Sequence, residues 1–150
     1  MDINVIGTNN ASEINKLVKK NCFNVVVGGN EIINRKALET RNVNLLLDPE
    51  PDEEDFMHFR NSGLNQVLVK LAKKNNVGIG FSINNLQKNE NKIDLLGKIM
   101  QNIMLCNKYK VKVYIVEFIN NEEHNIDDLK ALGLILGISP GKVNILHIKK

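Results

Sequence analysis

Short apolar runs alternate with amphipathic segments along the chain, and this alternation restricts the fold more than any other feature. The apolar runs at residues 3–7, 23–28, 42–47, 77–81 and 111–118 predict five strands. Helices are predicted near residues 11–20, 31–40 and 92–107, with one more that Asn125 can cap and that carries Asp127 and Asp128 in its first turn. Residues 143–148 could form a sixth strand or continue a helix. The pattern indicates an α/β fold with a parallel sheet.

Size and composition indicate one soluble domain covering residues 1–150. A chain of 150 residues can bury roughly 70 % of its unfolded surface. Its 43 % hydrophobic and 25 % charged content is ordinary for a globular protein. We find no apolar run of membrane-spanning length and no signal peptide, so we expect a cytoplasmic protein and no membrane partner. Cys22 and Cys106 are too few for a disulfide framework, and Cys106 is expected to be a core residue.

The segment from residue 60 to residue 82 combines a loop, a helix and a strand. Ser62 is expected to cap the helix, and Gly63 to let the backbone approach a neighbour closely. The apolar face of the helix is predicted to contain Leu64, Val67, Leu68, Leu71 and Ala72. Asn75 and Asn76 end the helix. The following run, with Gly78 and Gly80, predicts a strand that is covered on both faces.

This segment resembles the signature of a known family. The matching features are Arg60, the Ser62-Gly63 pair, the helix at residues 67–71 and the Gly80-Phe81-Ser82 strand end. Further matches are Asn34-Arg35, Asp48-Pro49, and the blocks at residues 108–111 and 128–137. The family is ribonuclease P protein component 3 of archaea, related to the thirty-kilodalton subunit of eukaryotic nuclear ribonuclease P. The resemblance covers about residues 23–141, and the chain resembles a shortened member.

The resemblance implies a barrel of the triose-phosphate-isomerase type, with outer helices around a parallel sheet. Five or six strands would make an abbreviated barrel, since a complete one has eight. The strand count alone would also allow an open doubly wound sheet. Gly28-Gly29 lacks the third glycine of a dinucleotide-binding fingerprint, which favours the barrel.

The resemblance also implies a function and partners. The chain would be a protein subunit of ribonuclease P, which removes the 5′ leader from precursor tRNA. The RNA subunit would hold the catalytic magnesium, so no cofactor is expected in the protein. Ribonuclease P RNA and protein component 2 would be the direct partners, together with other ribonuclease P proteins, and precursor tRNA would be contacted indirectly.

The sequence offers little for catalysis by the polypeptide itself. His58, His124 and His147 show no metal-ligand spacing, and the cysteines have no recognisable histidine partner. The acidic run at residues 48–55 could bind a hard cation, but carboxylates in a loop with prolines are more often a solvated linker. We therefore predict no catalytic and no metal-binding residues.

Two groups of residues are candidates for RNA binding. The first is Arg35, Arg60, Ser62 and Gly63, because guanidinium groups and helix N-termini bind phosphates; alternatively, Ser62-Gly63 only shapes a turn and Arg60 pairs with nearby acids. The second group comprises Lys70, Lys73, Lys74, Lys108 and Lys110. A solvated surface is the default explanation of these lysines, and phosphate contact is the second.

Two other functional classes remain open. A phosphoesterase or amidohydrolase on a similar barrel would need His and Asp residues clustered at strand ends, which the sequence does not suggest. A protein-binding scaffold would need no basic surface around Arg35 and Arg60. The net charge of +3 is modest for a protein that binds RNA unaided and suits a subunit that shares its RNA contacts.

Overall fold

The computed structural model describes residues 2–52, 61–120 and 123–149. The strands are β1 (Ile3–Ile6), β2 (Phe23–Val27), β3 (Val43–Leu47), β4 (Gly78–Ser82), β5 (Val113–Ile119) and β6 (Val143–Lys149). The α-helices are α1 (Ile14–Leu17), α2 (Glu31–Glu39), α3 (Gln66–Lys74), α4 (Ile83–Lys88), α5 (Lys92–Tyr109) and α6 (Ile126–Leu136), and a 3-10 turn (Ala11–Glu13) precedes α1.

The six strands form one parallel sheet in which their order in space equals their order in the chain. The sheet curls into a half-barrel with the helices around it, which confirms the predicted abbreviated barrel. Within the described residues, β1 pairs with β2 alone and β6 with β5 alone. Residues 143–148, left open between strand and helix, lie in the sixth strand.

The two hydrophobic clusters exclude a doubly wound sheet. The larger cluster packs strand residues such as Val26 and Leu46 against helix residues such as Leu68 and Ile103. The smaller cluster consists of strand residues throughout, with Val25, Leu45, Leu47, Val116 and Ile148 fully or almost fully buried. The described helices therefore pack on one face of the sheet, and the other face forms the interior of the half-barrel, whereas a doubly wound sheet has helices on both faces.

The first predicted helix is shorter than expected. Residues 11–20 contain a 3-10 turn and a single helical turn that ends at Leu17. The side chain of Asn24 forms hydrogen bonds with both backbone groups of Lys19. It accepts from the N–H at 3.1 Å and donates to the carbonyl at 2.9 Å. A helix that continued past Leu17 would need those same groups, so the Asn24 amide ends it.

Three apolar helix residues are on the surface, although Val67 was predicted above to lie on an apolar face and the helical spacing of Met100 and Met104 also predicts a core position. Val67, Met100 and Met104 are 63 %, 43 % and 71 % exposed. Val67 faces solvent because the core-facing turn of α3 is formed by Leu68, Val69 and Ala72, one position away in register. No described helix is long and apolar enough to span a membrane.

Cys106 is fully buried in α5, as predicted. Burial raises the pKa of its thiol to about 12, so the thiol stays protonated and behaves as a core residue.

The short helix α4 is absent from our sequence prediction. It contains two asparagines, a glutamine and a lysine among its six residues, and Asn-rich polar segments are typical of loops. Ser82 caps it by accepting from the Asn85 N–H at 3.1 Å. This helix lies directly after β4 and contributes to the carboxyl end of the sheet.

Gly78 of β4 makes room for a neighbouring aromatic ring. A Cβ at Gly78 would lie 2.6 Å from Tyr114 Cε2, closer than real Cβ contacts allow.

We predict that Gly78→Ala lowers the free energy of unfolding by about 1–3 kcal/mol, because the ring would have to shift in a packed sheet. Urea denaturation measures this, with Gly7→Ala as the matched control. Gly7 has no atom within 4 Å of the added methyl, so the control should change stability by less than about 0.5 kcal/mol; equal losses in both variants would contradict the packing explanation.

Candidate functional site

The ends of β3 and β4 are joined by a carboxylate and a hydroxyl. Asp48 follows β3 directly, and its Oδ1 and Oδ2 accept hydrogen bonds from the Ser82 N–H at 2.8 Å and the Ser82 hydroxyl at 2.7 Å. The Asp48 N–H donates to the Gly80 carbonyl at 2.9 Å. Burial raises the pKa of Asp48 to about 6, although the hydrogen bonds from Ser82 oppose the rise. Asp48 thus connects the loop after β3 to the next strand.

Asn34 holds three loops together at the same end of the sheet. It lies in α2 and is fully buried. Its Nδ2 donates to the carbonyls of Pro49 at 2.9 Å and Gly63 at 3.1 Å, while its Oδ1 accepts from the Gly29 N–H at 3.1 Å. The loops after β2 and β3 and the segment before α3 therefore depend on one side chain.

Gly63 is required by the close approach of these loops. Its φ is +85°, and a Cβ there would lie 1.9 Å from the Pro49 carbonyl oxygen. Ser62 beside it is 1 % exposed, and its hydroxyl donates to the Leu64 carbonyl at 3.2 Å. The structure thus shows Ser62-Gly63 shaping a buried turn, while RNA contact by these two residues stays a prediction.

Ser62 does not cap the helix that follows, so that prediction is wrong. Asn65 is the N-cap of α3 and accepts from the Leu68 N–H at 2.9 Å. An Asn side chain directly before the first helical residue competes better for this position than a serine four residues away from it.

A buried group of polar side chains supports the turn from below. Asn102 of α5 donates from Nδ2 to the Ser62 carbonyl at 2.8 Å and to Glu50 Oε1 at 3.2 Å. Lys98, also in α5, donates to the Pro51 carbonyl at 3.0 Å. Burial, and then the charge of Asp48, raise the pKa of Glu50 to about 8. Glu50 is therefore protonated at neutral pH.

The acidic run at residues 48–55 was predicted to be a solvated linker. For Asp48 and Glu50 that prediction is wrong. Glu50 is 7 % exposed because it bonds Asn102 beneath the Ser62-Gly63 turn, and Asp48 is partly buried because it bonds Ser82. Asp52 is exposed, and residues 53–60 lie outside the described residues. Across residues 2–52, 61–120 and 123–149, no group of three or more His, Cys, Asp or Glu side chains is arranged to hold a metal ion.

A cleft of about 640 Å³ opens at the carboxyl end of the strands. Its charged lining residues are Asp48, Glu50, Asp52, Glu90 and Asp94, with Lys88 and Lys98 as the cations. This excess of carboxyl groups makes the cleft a poor surface for phosphates. An RNA surface must therefore be sought elsewhere on the molecule.

Four of the predicted RNA-binding lysines come together around Tyr109, at the opposite end of the sheet. The ammonium groups of Lys70 and Lys108 lie 5.6 Å and 5.5 Å from the centroid of the Tyr109 ring. Lys73 donates to the Lys110 carbonyl at 3.1 Å, and Lys110 caps α5 with φ 58°. Lys74 is exposed in the same last turn of α3. We refer to Lys70, Lys73, Lys108, Lys110 and Tyr109 as the lysine–tyrosine cluster.

Arg35, one of the two arginines of the predicted site, is not part of this cluster. Arg35 lies on α2 and its Nε is 3.0 Å from Glu39 Oε1, an exposed pair of the i, i+4 type. Such pairs contribute little to stability, so the guanidinium can exchange its partner. Arg60 lies outside the described residues.

The structure also brings two histidines to one carboxylate, which the spacing of the histidines did not suggest. Glu117 and His147 are paired residues of β5 and β6, and His147 Nε2 lies 3.6 Å from Glu117 Oε1. The His124 backbone N–H donates to the same oxygen at 3.1 Å, and His124 Nδ1 contacts Glu117 Oε2. The register of β5 and β6 places Glu117 and His147 side by side, and the sequence alone did not show this register.

Comparisons with known proteins identify relatives of this chain. The chain is 34 % identical over 149 residues to ribonuclease P protein component 3 of Methanococcus vannielii, a match that covers 95 % of this chain and 60 % of the relative. It is 37 % identical over 110 residues to ribonuclease P protein component 3 of Methanosarcina acetivorans, covering 69 % of this chain and 43 % of the relative. The chain is a relative of archaeal ribonuclease P protein component 3. No family model matches the sequence.

The fold supports the same relationship. A chain in a cryo-EM structure of archaeal ribonuclease P with mature tRNA matches with a TM-score of 0.72 and 27 % identity, covering 89 % of this chain and 59 % of that one. The chain thus spans about three fifths of the length of the Methanococcus relatives, and its match covers 43 % of the Methanosarcina acetivorans relative. The residues that carry the resemblance, among them Asn34, Pro49, Ser62-Gly63 and Ser82, are the ones that tie the loops at the carboxyl end of the sheet.

We predict that Gly63→Ala destabilises this component 3 relative more than Gly141→Ala does. Both glycines have a positive φ, which costs a non-glycine residue about 1 kcal/mol or more. At Gly141 an added Cβ meets no atom within 4 Å, whereas at Gly63 it collides with the Pro49 carbonyl. Thermal or urea unfolding should therefore show an additional loss of about 1–3 kcal/mol in Gly63→Ala. Equal losses would mean that the loops can separate without cost.

We also predict a pH-dependent effect of Glu50→Gln. The pKa of Glu50 rises from 4.5 in the unfolded chain to about 8 in the fold, so its contribution is most favourable below pH 4.5 and is lost as the pH rises toward 8. Glu50 Oε2 and Asn102 Oδ1 lack hydrogen-bond partners among the described residues, and a proton on Oε2 supplies the donor that this pair needs. A glutamine keeps a donor there without a charge.

The measurement is the free energy of unfolding between pH 5 and pH 8.5. Glu50→Gln should gain on the wild type as the pH rises, by about 1.4 kcal/mol for each unit of the pKa shift. Glu90→Gln removes an exposed carboxylate of the same cleft and is the control for the loss of one charge. A difference between Glu50→Gln and the wild type that does not vary with pH would contradict a protonated Glu50.

Proposed function

We propose that this chain is a protein subunit of ribonuclease P that supports the RNA-catalysed removal of the 5′ leader from precursor tRNA. The observation that carries the proposal is the match along 95 % of the chain to ribonuclease P protein component 3. The related fold in archaeal ribonuclease P with mature tRNA supports it. The chain spans about 60 % of that relative, so we propose that it shares the activity of the whole relative.

The polypeptide acts by binding and positioning RNA, and the RNA subunit supplies the catalytic magnesium. Folding RNA brings phosphates close together, and lysine side chains lower that repulsion by replacing condensed counterions. The lysine–tyrosine cluster supports this role, since it gathers ammonium groups from α3 and α5 on an exposed surface. The protein itself is not catalytic and works in the cytoplasm.

Ribonuclease P RNA and protein component 2 are the proposed direct partners, with other ribonuclease P proteins in the same complex and precursor tRNA contacted through it. Two features support a protein partner. β1 and β6 each have one pairing strand within the described residues, and such edges favour association. The net charge of +3 suits a subunit that shares its RNA contacts.

Reconstituted cleavage of precursor tRNA tests the proposal. The cognate RNA subunit, component 2 and the other ribonuclease P proteins are assembled with and without this chain, and the initial cleavage rate is measured as a function of magnesium concentration. We expect the chain to lower the magnesium concentration that gives half-maximal cleavage, because it takes over part of the phosphate neutralisation. A magnesium curve that is the same with and without the chain would contradict the proposal.

The control for an RNA-catalysed reaction is the purified chain with magnesium and precursor tRNA, after nuclease treatment and removal of the nuclease. No cleavage at the leader junction is expected. Cleavage there would assign the chemistry to the polypeptide and overturn the subunit role.

A further inference from the structure

The charges of this chain are separated between the two ends of the half-barrel. In a parallel sheet, all loops that lead from a helix into the next strand lie at the amino end of the strands. These loops are residues 18–22, 40–42, 75–77, 110–112 and 137–142, and we refer to the surface they form as the αβ-loop face. Its loops contain Lys19, Lys20, Arg41, Lys110, Lys112 and Lys142, all exposed, and no Asp or Glu.

The opposite end of the sheet has the reverse charge. The cleft there is lined by five carboxyl groups and two lysines. Acidic residues also occupy the first turns of α2, α5 and α6. The net charge of +3 therefore hides a basic end and an acidic end. Two carboxylates lie near the rim of the αβ-loop face, Asp2 before β1 and Glu39 in the last turn of α2, and Glu39 is paired with Arg35.

The αβ-loop face contains hollows as well as charge. Three of them, with volumes of about 580, 230 and 400 Å³, open among the described residues of these loops. Lys19, Lys20 and Arg41 line the first, and Lys73, Lys110 and Lys112 line the second and third. None of the three has a carboxylate in its described lining. A concave surface with charges of one sign raises the local potential above that of a flat patch.

The loops that carry the cations are fixed by buried amides. Asn24, 1 % exposed, donates to the carbonyls of Lys19 and Asn42 at 2.9 Å each, so that it joins the Lys19 loop to the Arg41 loop. The partly buried Asn144 of β6 donates to the carbonyls of Val113 at 3.2 Å and Lys142 at 3.3 Å, so that it joins the Lys142 loop to the start of β5. Because the backbones are held in place, little ordering is needed before a ligand binds.

The dipoles of the helices explain only part of this pattern. Cations in the last turn of a helix are stabilised by its negative end, and this accounts for Lys73, Lys74 and Lys108. Lys19, Arg41, Lys112 and Lys142 lie beyond the last turn, in the loops, where the dipole effect is weak. They occupy four of the five loops, and none of these loops contains a carboxylate, which indicates a polyanionic ligand.

We propose that the αβ-loop face binds the phosphate backbone of the ribonuclease P RNA, an assignment that rests on the proposed function. Cations from loops of neighbouring strands follow the sheet in steps of about 4.8 Å, which suits a chain of phosphates and not a single one. Exposed amides at Asn21, Asn42 and Asn76 can donate to ribose and phosphate oxygens between the charges. The lysine–tyrosine cluster adjoins this face: Lys110 belongs to both, and the other residues of the cluster lie in α3 and α5.

The test compares two triple variants that remove the same charge. Lys19→Gln/Arg41→Gln/Lys112→Gln changes the αβ-loop face and leaves the lysine–tyrosine cluster intact. Lys88→Gln/Lys92→Gln/Lys149→Gln removes three exposed lysines near the carboxyl end of the strands and is the matched control. Binding of the ribonuclease P RNA is measured by fluorescence anisotropy over a series of salt concentrations. Each lost phosphate contact lowers the log–log salt slope by about 0.7 to 0.9, so the first variant should lose about two units.

We expect the control to keep the wild-type slope and both variants to keep the wild-type circular dichroism and melting temperature. Equal slopes in the wild type and the αβ-loop variant would overturn the assignment of this face. So would an αβ-loop variant that binds RNA as the wild type does but no longer binds component 2, since the face would then be a protein-binding surface.

The reconstituted cleavage reaction separates this result from the proposed function. If wild-type protein lowers the magnesium requirement but the αβ-loop variant does so equally well, the proposed function stands and the RNA face lies elsewhere. If the wild-type protein neither binds the RNA nor affects cleavage, the proposed function itself fails.

Discussion

The side-chain amide of Asn34 is the interaction on which the carboxyl end of the half-barrel depends. Each of its polar atoms is used, and the groups it satisfies belong to three loops that are distant in sequence. Removal of the amide would take a hydrogen-bond partner from the buried Pro49 carbonyl and from two partly buried groups, and a buried group left unpaired costs about 1–3 kcal/mol. Gly28 and Gly63 lack a Cβ at the places where Asn34 and Pro49 come closest.

This dependence changes how the family resemblance is understood. Ser-Gly before a helix suggests a phosphate site, yet in this fold the pair belongs to a buried polar group with Glu50 and Asn102. The residues that identify the family are thus mainly those that fix the loops. RNA recognition can then rest on surface cations whose individual positions vary, because a phosphate chain accepts a charge from many directions.

The sequence predicted five strands and the fold class well, because buried parallel strands are short continuous apolar runs and here they alternate with amphipathic helical segments. It failed where a side-chain hydrogen bond decides a local structure. Asn24 shortens the first helix, and Asn65 takes the cap that Ser62 was expected to form. From the sequence, the acidic residue Glu50 is expected to be solvated. Only the fold shows the amide of Asn102 and the ammonium group of Lys98 beside it. The lysines of α3 and α5 were identified one by one, but their approach to Tyr109 depends on the neighbouring positions of those helices.

The strand order has a consequence for how the chain can fold. Every strand pair in the sheet joins two strands that are consecutive in sequence. Each new strand with its helix therefore adds to a surface that the preceding segment has already built, and no pairing has to wait for a distant part of the chain. Such a chain can assemble in the order in which the ribosome releases it. At every stage the strand added last is the edge on which the next strand pairs. The six-stranded half-barrel therefore has the same form as a stage in the assembly of a longer sheet.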